Sequence, residues 1–133
     1  MPHAEPLWLR YTLWVSAAFN VFAALLFAFP ASQLGQQIGL PADAPLIYRS
    51  MLTFLILLFG GSYAWLATQS VIHRPLLALS AIGKFGVFWI VLVLWLLGQA
   101  TLRGFIAAIG DLVLSLCFAG WLISTYGKRG RSI

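Results

Sequence analysis

Very little of this chain is charged, and less of it is chemically reactive. Among 133 residues there are eight basic and three acidic side chains, two histidines and one cysteine. Cys117 has no second cysteine to join, so neither an intrachain disulfide nor a C-x-x-C redox pair can form. It lies in an apolar run and reads as a small buried hydrophobe. His3 sits in the N-terminal tail and His73 at the edge of an apolar run. Two histidines so placed cannot flank a haem, and no His/Cys/carboxylate set has the spacing of metal ligands. The serines, Ser80 and Ser115 among them, have no histidine partner for a hydrolytic triad. Neither G-x-x-x-x-G-K-[ST] nor G-x-G-x-x-G occurs. A channel is not expected from a single bundle of this size.

What the chain has in abundance is oil. Sixty-two per cent of residues are hydrophobic and the mean hydropathy is +0.95, beyond the roughly one-half apolar share of soluble domains. The net charge is +5. Its basic residues flank apolar runs instead of forming a face, which fits topology signals and anionic lipid and excludes nucleic acid as a partner.

Four runs are long enough to cross a bilayer, which takes about 20 helical residues. They cover about residues 7–29, 46–68, 75–98 and 101–126 of a single domain spanning 1–133. Pro30 ends the first. Pro75 opens the third, where its missing N–H costs nothing. Gly127 is expected to cap the fourth. The apolar run Tyr11–Phe29 outlasts a signal-peptide core, and Phe29-Pro30-Ala31 lacks the A-x-A pattern, so it reads as a retained helix. The short link Gly98–Thr101 makes the last two helices an antiparallel hairpin. The fold class is therefore all-α, a four-transmembrane-helix bundle. Between its first two spans, Leu34 and Ile38 fit a short amphipathic segment on the extracytoplasmic surface, stopped by Gly39 and Pro41.

Arg10, Arg74, Lys128, Arg129 and Arg131 fall on one side, Arg49 and Arg103 on the other. The positive-inside rule places the first set, with both termini, in the cytoplasm. Trp8, Trp14 and Trp121, with Trp65, fall where interfacial anchors belong, whereas Trp89 and Trp95 lie deeper. Gly60 and Ala64 form a small-xxx-small pair suited to close helix contact.

A few polar residues lie at depth. With about 1.5 Å rise per residue, Asn20 and Lys84 lie roughly 13–15 Å from the cytoplasmic side, Tyr63 roughly 8 Å, and Asp111 roughly 15 Å from the other side. An Lys84–Asp111 ion pair with Asn20 as hydrogen-bond partner is the expected arrangement. It either fixes helix register or serves a ligand in a cavity, as intramembrane charge commonly does. Arg49, beside Tyr48, either snorkels or lies over the same cavity. Asn20, Arg49, Tyr63, Lys84 and Asp111 are the candidate ligand-binding residues. No catalytic residue and no intrinsic cofactor is expected. A lipid-like molecule is the candidate ligand, and membrane lipids, other membrane subunits or a second copy are the candidate partners.

Arg49, Gly60-Gly61-Ser62-Tyr63, Gly83-Lys84 and Gly110-Asp111 together resemble the small four-helix bacterial membrane proteins of the DoxX-like kind. The resemblance runs from about Tyr48 onward. It implies a link to quinone-dependent oxidoreductase complexes, with Lys84 and Arg49 polarising quinone carbonyls and Asp111 handling the proton. The residues alone favour a non-enzymatic reading, an accessory subunit or a binder of a lipid-like molecule. A small transporter using Asp111 for proton coupling is a third expectation.

Overall fold

The computed structural model describes residues 5–130 and is helical throughout, without a strand among the described residues. Helix α1 covers Leu7–Ala28, α2 Gln33–Gln37, α3 Leu46–Thr68, α4 Arg74–Leu96 and α5 Leu102–Gly130. All but α2 are long and apolar enough to cross a membrane. The chain is built as a multi-pass membrane protein of four spans.

Local chemistry accounts for the boundaries. Pro6 and Pro45 stand just before α1 and α3. Ser32 and Thr101 cap helix starts by accepting the amides of Gly35 and Gly104, each at 3.1 Å. The Nδ1 of His73 does the same for Leu76 at 3.2 Å. Two helices end in Schellman turns. Gly39 (φ +84°) and Gly98 (φ +75°) take the left-handed position that glycine occupies without strain. After α4, the amides of Gly98 and Gln99 bond back to Trp95 and Leu94; after α2, those of Gly39 and Leu40 bond back to Gln36 and Gly35. Gly127 behaves otherwise. Its φ is not positive, and α5 runs through it to Gly130. A glycine ends a helix only where the chain turns left-handed, and here nothing makes it turn. Arg131, His3 and both chain termini lie outside the described residues.

The bundle is two helix pairs, α1 with α3 and α4 with α5, joined by a thinner seam. Packing is uneven along it. At the end where α1 and α4 begin (the terminal end), Leu9, Leu13, Leu66, Leu77, Phe118 and Trp121 form a sealed core. Toward the opposite end, where α2 lies, Ala24 and Ala108 are the buried apolar residues of the spans. Arginines reinforce the tight end. Arg10 donates to the Ala67 carbonyl at 2.8 Å, satisfying an acceptor in the last turn of α3. Arg74 donates to the Leu122 carbonyl at 2.6 Å and lies 5.1 Å from the centre of the Trp121 ring. Trp121 is thus buried beneath Arg74, not exposed as an interfacial anchor; Trp8, Trp14 and Trp65 are exposed. Trp89 and Trp95 are exposed too, and Trp95 stacks on Phe105 at 4.4 Å.

At the α2 end, a Cβ on Gly104 would lie 2.7 Å from the Ile38 carbonyl oxygen. That contact seats the α2 turn on the start of α5. Ile38 is half-buried and Leu34 exposed. Gly60 brings α3 against α1, since a Cβ there would lie 3.1 Å from the Asn20 Cβ. A Gly60→Val change is expected to lower stability by about 1–3 kcal/mol through overpacking. Unfolding in mixed micelles checks it, and an unchanged midpoint would mean the two helices can move apart without loss.

Candidate functional site

The seam between the two helix pairs holds the polar residues at depth, one from each spanning helix: Asn20 from α1, Tyr63 from α3, Lys84 from α4 and Asp111 from α5. The Lys84 Nζ donates to the Asp111 Oδ1 at 2.9 Å and to the Asn20 Oδ1 at 3.3 Å. Asn20 in turn donates through Nδ2 to the Ile56 carbonyl of α3 at 3.0 Å. The amide therefore bridges the lysine to a helix backbone on the other side of the seam. Lys84 is 3% exposed and Asp111 13%. Every buried side-chain polar atom among the described residues has a partner, as an apolar medium demands.

Two rings flank the ammonium. It lies 4.9 Å from the Tyr63 ring centre and 5.3 Å from that of Phe19. Tyr63 is packed between Phe59 and Phe118, at 6.5 and 6.1 Å between ring centres. Phe19 touches α5 at Gly110, where a Cβ would lie 3.5 Å from the ring. The glycine lets Phe19 reach in beside Asp111.

A cavity of about 320 Å³ opens onto this cluster. Phe19, Phe27, Leu52, Leu55, Ile56 and Phe59 supply apolar walls, while Asn20, Lys84 and Asp111 form one polar floor. Its walls come chiefly from α1, α3 and α4, and Leu52, Leu55 and Val87 on them are themselves exposed. The hollow therefore opens sideways where α3 and α4 barely touch, toward the region lipid would occupy. A larger hollow of about 420 Å³ lies at the terminal end, with Arg74 as its one charged lining residue. Arg74 is already bonded to Thr125 and Leu122. That hollow is a surface groove and lacks a converging set of polar groups.

Four of the five candidate residues converge here and one does not. Arg49 is absent from the cavity lining. Its Nε donates to the Ala44 carbonyl at 3.0 Å, holding the turn before α3. At the first turn of α3 the guanidinium braces the backbone that leads into the helix. Phe19 is the residue that sequence reasoning passed over. An aromatic in an oily helix carries no sign of which neighbour it faces. Only its place next to Asn20 was a clue. Among the described residues no group of three or more metal-ligating side chains comes together.

Comparison with protein-family models, with curated proteins and with solved structures finds no match.

Proposed function

We propose that this protein is a non-enzymatic subunit of the bacterial inner membrane that holds a lipid-like molecule in the seam. Its tail lies along the apolar walls and its head group meets Lys84. The observation that carries the reading is an oily hollow, open sideways, ending on one polar cluster with a buried cation. Small-molecule sites have this composition, apolar walls with a few convergent polar groups. An ion pair serving only helix register would need neither the hollow nor its opening toward lipid. Purification in mild detergent, followed by mass spectrometry of what remains bound, tests it. A stoichiometric apolar molecule is expected from the wild type and its loss from a Lys84→Met/Asp111→Leu double variant. Equal retention by a folded double variant would defeat the reading.

A second reading keeps the same site and makes the ligand a quinone, as the DoxX-like resemblance implies, with the chain serving a larger oxidoreductase complex. The rings of Phe19 and Tyr63 beside the ammonium, with Phe59 on the cavity wall, favour it, because their flat faces suit a planar ring. Redox titration of the purified complex separates a quinone from other apolar guests. Assembly with other membrane subunits or a second copy is part of both readings. The wide apolar outer surface left by α1, α3, α4 and α5 is available for it.

The orientation proposed for this subunit is with both termini in the cytoplasm, on the strength of the basic residues at that end. Reporters fused before Met1 and after Ile133 are both expected to signal from the cytoplasm. A periplasmic signal from either would overturn it.

A further inference from the structure

The charge balance of the cluster restricts what its ligand can be. Lys84 and Asp111 are in direct contact at 2.9 Å, so the floor of the cavity is formally neutral. An anionic head group brought to Lys84 would also be brought to Asp111. Two anions sharing one cation in a low-dielectric site repel, and neither is compensated. A cationic head group is in the mirror-image position: brought to Asp111, it is also brought to Lys84 2.9 Å away, and two cations share one anion. An uncharged acceptor has no such conflict. An ammonium has three N–H donors. Two are taken, by Asp111 and Asn20, and the third has no carbonyl, carboxylate or hydroxyl acceptor among the described residues. The rings of Phe19 and Tyr63 flank it. Rings attract a cation through their faces but leave the lysine N–H able to donate to an incoming oxygen. The cavity, at about 320 Å³, lies at the small end of the roughly 300–1,000 Å³ usual for ligand sites. It suits one apolar tail within its walls, not two.

We infer that the ligand is an uncharged, carbonyl-bearing amphiphile with a single apolar tail, its carbonyl oxygen accepting the third N–H of Lys84. This rests on the seam being a ligand site, as proposed above, and specifies the class. Two sources share the chemistry, a neutral monoacyl ester and a tailed quinone.

Four probes separate the outcomes in binding to the full-length protein in detergent: monooleoylglycerol, a decyl benzoquinone, oleate and oleoyl lysophosphatidate. Native mass spectrometry and displacement report the affinities. At least one neutral probe is expected to bind about tenfold or more tighter than both anionic probes. Which neutral probe leads identifies the source. Asp111→Asn keeps an acceptor for Lys84 but removes the internal anion, so this variant should gain affinity for oleate. If Asp111→Asn fails to fold, the wild-type ranking decides alone. Anionic probes binding wild type as tightly as neutral ones would overturn the inference while leaving the ligand site standing. No binding by any probe, or binding unchanged in Lys84→Met/Asp111→Leu, would overturn both.

Discussion

Lys84→Met alone is expected to destabilise the protein by about 3–5 kcal/mol, and so is Asp111→Leu, because each strands a charge in an apolar seam. The two changes together should return stability to within about 1 kcal/mol of wild type, since well-packed apolar side chains often replace a buried ion pair at little cost. The 2.9 Å contact and the burial of both partners motivate the expectation. Asn20 sharpens it. With Lys84 gone, its Oδ1 loses a donor while its Nδ2 still holds the Ile56 carbonyl. Lys84→Met should therefore be slightly worse than Asp111→Leu. Unfolding of all variants in mixed micelles gives the cycle. Simple additivity of the two losses would show that the residues are not energetic partners.

A second large effect is expected at Gly83, with the opposite profile. It precedes Lys84 on α4 and lines the cavity, and a Cβ added there meets nothing closer than the edge of Phe59 at 3.9 Å. That is ordinary contact, so a Cβ enters without strain. Replacing a helix-interior glycine also recovers about 0.8–1 kcal/mol of helix propensity. Gly83→Leu should thus fold at least as well as wild type. Its side chain, however, occupies the space where the tail would lie. Loss of bound molecule by about 100-fold is expected, because a steric block removes the apolar contact along the walls. Mass spectrometry of the purified variant checks it. Full retention of the molecule would place the ligand somewhere other than the seam. The glycine variant probes the ligand with the charges intact, and the ion-pair cycle probes the charges.

The four spans were legible, except that the last helix runs past its expected cap to Gly130. Each is a long apolar run bounded by proline, glycine or charge, and a bilayer imposes one length on all of them. The meeting of Asn20, Lys84 and Asp111 was legible too, because helix rise converts sequence position into depth and few polar residues compete for partners there. The uneven packing was not. In a soluble helix the buried face announces itself as an apolar stripe, but a span is apolar all round, so its sequence does not say which face meets protein and which meets lipid. The sealed core around Phe118 and Trp121 and the open hollow near Phe27 and Leu52 are written in similar residues. Trp121 misled for a related reason. Tryptophan is at home at an interface, and only the fold shows that this one lies under Arg74.

The placement of the charged pair has a bearing on biogenesis. Lys84 and Asp111 lie in successive spans joined by a short turn, within one antiparallel pair. Entering the bilayer singly, each span would carry a charge costing about 2.5–3.5 kcal/mol at mid-membrane. Entering as a preformed hairpin, they carry a neutralised pair. The second half of the chain can then partition from the translocon as a unit before it meets the first half. Asn20 is made earlier, bonds in the finished fold to the Ile56 carbonyl within the first helix pair, and offers the lysine its second acceptor across the seam.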